Sequence, residues 1–316
     1  MNERHRPVML AEVVEALEPQ RGGLYVDGTV GAGGHGAGVL QAAAPGSRFW
    51  GLDRDGNAIQ LAAERLSVYG NRVKLWQVTF DRLGRCLAQE GEAGADGILL
   101  DLGVSSMQLD DPSRGFAFRF EAPLDMRMGA DGPSAADLVN SLDENQLARL
   151  FRELGEEPQA RRIARALVKA RGSGPIDSTA RLASLVEEAL TAGERRKRKL
   201  HPATQVFMAL RLKVNDELGQ LERFLDGAPA WLKPGGSLAI ISYHSLEDRR
   251  VKRAMRAWAD PCTCPPDLPL CACGLKPLAR LPFRGALKPS AQEVAANPRA
   301  RSARLRVAVR TAEALS

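Results

Sequence analysis

The chain has 316 residues, room for roughly two domains of about 100–200 residues each. With 44% hydrophobic and 26% charged residues it is neither an intrinsically disordered nor a collagen-like sequence. The 44 Lys and Arg against 38 Asp and Glu leave +6, an excess that permits a nucleic-acid partner without requiring one. The opening ten residues are too polar for a signal peptide, and no apolar run reaches the ~18–20 residues of a bilayer span. A cytoplasmic protein with no membrane partner is therefore expected.

Helical spacing over residues 9–18 stops at Pro19, and Leu24–Asp27 then reads as a short buried strand entering a glycine-rich turn. A helix with Val39 and Leu40 inward follows. Arg48–Asp53 is a second strand, Asn57–Leu66 a helix, Val73–Val78 a third strand and Gly97–Asp101 a fourth. Near-continuous apolar strands alternating with helices predict an α/β fold, a parallel sheet covered on both faces. Ligands in such sheets sit at the carboxyl ends of the strands, where Asp27, Asp53 and Asp101 all fall.

The next convincing strand, Ser237–Ser242 after a Pro234-Gly235-Gly236 turn, is much farther from Asp101 than the dozen or so residues a crossover needs. The interval reads as helices. Asp143 with Gln146 resembles a capping box before Leu147 and Leu150, and Ile163, Leu167, Leu182, Val186 and Leu190 keep the helical period. One helix over residues 206–225 is predicted to return the chain to the sheet, and Arg304–Val309 to form a final antiparallel edge strand. The predicted organisation is a discontinuous domain of residues 1–108 and 211–316, interrupted by a helical insertion at 109–210.

Gly31-Ala32-Gly33-Gly34-His35-Gly36 satisfies G-x-G-x-x-G, and Asp53 stands where a second-strand carboxylate would take ribose hydroxyls. On that pattern alone a nicotinamide-dependent dehydrogenase is open. Asp27 beside the loop disfavours it, because a carboxylate there repels a pyrophosphate and suits a ligand with an ammonium and a sulfonium, such as S-adenosyl-L-methionine. Phe80, after the third strand, is placed to cover an adenine. A non-catalytic RNA-binding scaffold is the other alternative, disfavoured by the glycine loop, Asp53 and Asp101 standing together.

Basic residues cluster at 195–199, along Arg161, Arg162, Arg165, Lys169 and Arg171, and through Arg299, Arg301, Arg304, Arg306 and Arg310. Such blocks either line a phosphate backbone or form a solvated face. Cys262, Cys264, Cys271 and Cys273 form C-x-C-x6-C-x-C, with Pro265, Pro266 and Pro269 between them. Two readings stand: a four-thiolate structural zinc site, or reduced cysteines on a proline-rich surface loop. Cys86 is expected to be a small buried hydrophobe.

Several blocks are far more specific. Asp27-Gly28-Thr29-Val30-Gly31-Ala32-Gly33-Gly34-His35, Leu100-Asp101-Leu102-Gly103-Val104-Ser105-Ser106, Gln108-Leu109-Asp110, Leu124-Asp125-Met126-Arg127-Met128, Tyr243-His244-Ser245-Leu246-Glu247-Asp248-Arg249 and Asn297-Pro298-Arg299-Ala300-Arg301-Ser302 look like the signature blocks of the bacterial small-subunit ribosomal RNA cytosine-N4 methyltransferases, the methyltransferase H family. The resemblance runs nearly end to end. It implies a Rossmann-like class I methyltransferase sheet with an inserted all-helical domain. It implies methyl transfer from S-adenosyl-L-methionine to the N4 amine of a cytidine in the decoding region, with small-subunit ribosomal RNA, within the assembled subunit, as partner. Carried over by position, its cofactor contacts fall on Gly33, Gly34, His35, Asp53, Phe80, Asp101 and Gln108, beside the Asp27 read from the residues.

Asp101 is expected to anchor the methionine end of the cofactor, and Ser105 or Ser106 to face the target amine or to cap a helix. His244 is a second candidate for the base pocket. Arg127 and the Arg299–Arg301 block suit phosphate contact, with Phe116 or Phe118 available for stacking. No sequence feature sets the oligomeric state, and a homodimer is kept open.

Overall fold

All four residues of β1 (Leu24–Asp27) are buried, as are the central residues of β2 (Arg48–Asp53), β4 (Ala95–Asp101) and β5 (Leu232–Ser242). Strands apolar on both faces need cover on both sides. In the computed structural model, which describes residues 7–129, 131–265 and 272–313, that cover comes from two helical layers. Side chains alternate along each strand, so Leu24, Val26, Trp50, Leu52, Ile98, Leu100, Leu238 and Ile240 join one core, and Tyr25, Phe49, Leu99, Ala239 and Ile241 the other. The second core is closed by α1 (Leu10–Leu17), α2 (Gly34–Ala42) and α3 (Gly56–Leu66). The first is closed by α4 (Leu83–Gln89), α12 (Glu217–Trp231) and α13 (Ser245–Ala259).

With β3 (Val73–Gln77), β6 (Ala279–Arg280) and β7 (Arg304–Arg310), the sheet has the order β3-β2-β1-β4-β5-β7-β6. The first five strands pair in parallel and β7 runs antiparallel to β5. The order reverses between β1 and β4, so a crevice opens at their carboxyl ends. Helix α14 (Ala291–Ala296) precedes β7.

The chain divides into a sheet unit, Met1–Gly103 with Leu218–Ser316, and a helical unit, Val104–Glu217. The helical unit contains α5 (Ser106–Asp110), α6 (Ala135–Ser141), α7 (Glu144–Glu153), α8 (Ala160–Arg171), α9 (Thr179–Glu188), α10 (Ala192–Arg196) and α11 (Thr204–Val214). Its own core gathers Leu147, Phe151, Ile163, Leu167, Val186 and Leu210. The Asp143–Gln146 capping box is present, the Asp143 carboxylate accepting from Gln146 N at 2.8 Å and Gln146 Oε1 from Asp143 N at 2.9 Å.

Three expectations change. The single return helix is broken into α11 and α12 at Asn215–Asp216, where Asp216 takes a left-handed φ of 48°. The break is held by the buried Asn215, which accepts from Met128 N and donates to Met126 O, both at 2.8 Å. Pro234-Gly235-Gly236 lies inside β5, as an irregularity where pairing jumps from Ala95↔Leu232 to Gly97↔Ser237. Strand β7 is not the sheet edge, because β6 pairs on its outer side. Among the described residues, no helix is long and apolar enough to cross a membrane.

Candidate active site

The site is built from the ends of β1, β2 and β4. At the end of β1 the chain cannot continue as a strand through Gly31 and Gly33. Gly33, at φ 75°, is the left-handed N-cap of α2, a conformation that disfavours any residue with a Cβ. The loop is pinned from below by Asp53, whose Oδ2 accepts from Gly31 N at 3.0 Å while Oδ1 accepts from Asp55 N at 2.9 Å. Each oxygen keeps a second lone pair for an outside donor. Burial pushes the Asp53 carboxyl up to about 6, against the lowering effect of those two backbone bonds.

Asp27 is 1% exposed. Its Oδ1 accepts from Thr29 N at 3.0 Å and from the Thr29 hydroxyl at 3.3 Å, whereas Oδ2 is buried with no hydrogen-bond partner. Burial raises its carboxyl to about 6, partly opposed by the nearby His35. The Thr29 hydroxyl also accepts from Asp101 N at 2.7 Å, so one side chain ties the β1 end to the β4 end. In the sequence Thr29 stands out only as part of a family block. A β-branched hydroxyl two residues past a strand-end carboxylate is the signal that could have marked this tie.

Asp101 completes the group. Its Oδ1 accepts from the Tyr243 hydroxyl at 2.7 Å, and Oδ2 lies 3.8 Å from His35 Nδ1. Burial raises the Asp101 carboxyl, while His35 and the Tyr243 bond lower it. Burial and then the Asp101 charge push the Tyr243 phenol far upward, so it stays a donor. His35 Nε2 is 2.9 Å from Val8 O; a carbonyl only accepts, so Nε2 holds the proton there. Nothing local in the sequence marks Tyr243 for this role.

Glu247, 2% exposed, accepts from Tyr243 N at 3.0 Å and so fixes the turn after β5. Its Oε1 lies 3.1 Å from His244 Nε2, a close approach outside hydrogen-bond geometry, and both ring nitrogens of His244 are buried without a hydrogen-bond partner. Phe80, in the turn after β3, sits edge-on to Phe224 at 5.7 Å between ring centres.

Asp27, Gly33, Gly34, His35, Asp53, Phe80, Asp101 and His244 all belong to the sheet unit, and Ser105, Ser106 and Gln108 to the helical unit. Ser105 is the N-cap of α5. Its hydroxyl accepts from Gln108 N at 3.2 Å and Gln108 Oε1 accepts from Ser105 N at 3.0 Å, a reciprocal capping box. Ser106 opens α5.

Arg127, read as a phosphate contact, and several cations of the basic blocks are engaged internally. Arg127 folds onto Asp125, with Nε 2.9 Å from Oδ1 and Nη2 2.7 Å from Oδ2. Arg198, inside the basic run, makes two bonds of 2.6 and 2.7 Å to the buried Glu157. Arg306 grips Asp248 at 2.7 and 3.1 Å, and Arg310 donates to Leu232 O. Phe116 is buried and Phe118 stacks on His201 at 4.3 Å, so neither is an exposed platform. Arg301, from the block expected to contact phosphate, lines a basic cavity of about 580 Å³ beside His244, with Tyr243, Arg249, Lys252 and Lys288 among the other lining residues.

The reversed parallel sheet with its antiparallel β7, the glycine loop and the strand-end carboxylates define a Rossmann-like methyltransferase domain of class I. The chain belongs to the MraW methylase family, whose model matches residues 2–311. It is 49% identical to a protein of Symbiobacterium thermophilum over 97% of this chain and 96% of that one. It is 52% identical to one of Geobacter sulfurreducens over 96% and 98%. Both relatives are named ribosomal RNA small subunit methyltransferase H.

Proposed function

We propose that the protein transfers a methyl group from S-adenosyl-L-methionine to the exocyclic N4 amine of a cytidine in the decoding region of small-subunit ribosomal RNA, in the cytoplasm. The observation that supports this best is the buried Asp27 Oδ2 without a partner, beside a glycine loop and two further strand-end carboxylates. An unpartnered buried carboxylate oxygen fits a cationic ligand and opposes a pyrophosphate. The half-identical, nearly full-length relatives supply the substrate class.

S-adenosyl-L-methionine, when bound, supplies an electrophilic methyl group on a sulfonium. Asp27 and Asp101 hold its methionine end, Asp53 accepts from the ribose hydroxyls, and Gly33, Gly34 and His35 form the floor. Phe80 covers the adenine. Gln108 is a further contact on the strength of the family resemblance alone. The cytosine amine is a weak nucleophile because its lone pair is delocalised, so alignment is the main contribution of the site. In the transfer the amine would shed a proton as its new N–C bond forms and the methyl–sulfur bond breaks, the sulfonium leaving as a neutral thioether. The acceptor is His244, whose Nε2 has Glu247 Oε1 3.1 Å away, or the Ser105–Ser106 segment. Lys252, Lys288 and Arg301 line a surface suited to RNA phosphates, and the helical insertion, read at 109–210, is assigned to RNA recognition.

Incubation of unmodified small subunits, and of free ribosomal RNA, with labelled S-adenosyl-L-methionine, followed by mass mapping of the modified nucleoside, tests the reading. An N4-methylated cytidine is expected, with the assembled subunit the better substrate. A C5-methyl or ribose-methyl product refutes it, as does tight binding of NAD with none of S-adenosyl-L-methionine.

A further inference from the structure

The connection from α13 to β6 has no visible reason to be compact. Cys262, Pro265, Gly274, Leu275, Lys276 and Pro277 are exposed, so the described residues of the segment bury no core of their own. Its ends are nevertheless fixed: Asp260 N donates to Arg256 O at 2.8 Å, Leu278 N to Trp258 O at 2.8 Å, and Thr311 N to Leu278 O at 2.9 Å. Between those anchors the chain brings three sulfurs together. The Sγ atoms of Cys262, Cys264 and Cys273 all lie within 4.8 Å of one another, and Cys273 Sγ is 3.9 Å from Cys262 Sγ. Cys271, the fourth cysteine of the motif, lies outside the described residues.

We propose that Cys262, Cys264 and Cys273 bind a zinc ion that closes this loop. The distances decide between the chemistries three nearby cysteines allow. A disulfide needs its sulfurs about 2.05 Å apart, roughly half the separation seen. Zinc bound tetrahedrally by thiolates at about 2.3 Å sets its sulfurs about 3.8 Å apart, close to the Cys262–Cys273 spacing. The backbone adds a feature of thiolate sites: Ala272 N donates to Cys264 Sγ at 3.3 Å. Soft sulfur donors select zinc over magnesium or calcium. As each sulfur takes the ion it releases its proton to solvent, so uptake is accompanied by acidification and weakens at low pH. Held by Cys262 and Cys264 on one side and Cys273 on the other, the ion joins the end of α13 to the chain that enters the outer strand β6.

The site stands apart from the strand-end carboxylates and does not depend on the proposed reaction. Full-length protein expressed with added zinc and purified under reductant is expected to hold one zinc per chain by elemental analysis. Cys264→Ser with Cys273→Ser should lower that at least tenfold, whereas Cys86→Ser, which removes a buried thiol elsewhere, should leave it unchanged. Cobalt titrated into the metal-free chain should give the sulfur-to-metal charge-transfer band of thiolate ligation, and limited proteolysis between Asp260 and Leu278 should quicken at least tenfold on chelation. Affinity for S-adenosyl-L-methionine should be the same in the double variant, which also shows that it is folded. The proposal is overturned if the reduced chain neither holds nor takes up zinc, if the double variant retains it, or if mass analysis of unreduced protein finds these cysteines paired as a disulfide.

Discussion

Asp27→Asn should make the sheet unit more stable while weakening its hold on a cationic ligand. The wild-type carboxyl is raised from 3.8 to about 6 by burial, so the folded state binds a proton more readily than the unfolded chain. Above pH ~6 the native protein bears the full cost of a buried charge, about 3 kcal/mol for a shift of roughly two units. As pH falls from 6 toward 4 the folded state takes up the proton, and that cost disappears. Asparagine occupies the same space, keeps an oxygen for Thr29 N, and has no charge to desolvate. The variant should therefore gain up to about 3 kcal/mol at pH 8, the gain shrinking between pH 6 and 4 and vanishing below. All four tryptophans, Trp50, Trp76, Trp231 and Trp258, lie in the sheet unit, so their fluorescence during urea unfolding follows that unit alone. Calorimetry with S-adenosyl-L-methionine supplies the other half, where a loss of at least tenfold is expected. Equal stability at pH 8, or unchanged ligand affinity, would refute the reasoning.

Tyr243→Phe removes the 2.7 Å donation to Asp101, a bond to a charged acceptor worth about 1.5–3 kcal/mol, and should destabilise the sheet unit by that order at pH 8. A urea midpoint matching wild type would place the Asp101 charge elsewhere. Arg198→Ala leaves the fully buried Glu157 side chain without its guanidinium and should cost about 3–5 kcal/mol, read as loss of helical circular dichroism at lower urea. Removing the exposed pair partner Arg149, by contrast, should change stability by less than ~0.5 kcal/mol. Gly28→Ala would set a Cβ 2.4 Å from Leu100 Cδ2 and 2.9 Å from Phe80 Cβ, so cofactor affinity should fall as Phe80 is displaced; an unchanged dissociation constant would remove Phe80 from the adenine site.

What could be read from the sequence was whatever local spacing encodes. Asp27, Asp53 and Asp101 each close an apolar run, and such a run ending in a carboxylate is visible without a structure. The Asp143–Gln146 cap is likewise a four-residue pattern. What escaped depends on partners distant in sequence or on choices among nearby ones. The Tyr243–Asp101 bond joins two strand ends that only the sheet order brings together. The basic run at 195–199 shows its charge in the sequence but not that Arg198 turns inward to Glu157. Arg127 has Asp125 two residues away, and periodicity says nothing about whether the two will close on each other. The helix break at Asn215 was hidden because Leu210, Val214, Leu218 and Leu221 keep an apolar period through it, while the side chain that holds it bonds to Met126 and Met128, far back in the chain.

The interrupted sheet also sets the order in which the protein can be made. Strand β4 pairs on one side with β1, which precedes it, and on the other with β5, where Asp101 meets Ile241. During synthesis the ribosome must therefore produce the whole helical unit before β4 gains its second neighbour. Through that interval an apolar strand stands at the margin of a half-built sheet, the kind of edge that pairs with the wrong chain. The inserted helices are stabilised largely by contacts among near neighbours in sequence and can form while they wait. A nascent chain halted just after Glu217 would combine a helical unit able to fold with a sheet still open at β4. That stage of synthesis is where aggregation, or capture by a chaperone, is expected to concentrate.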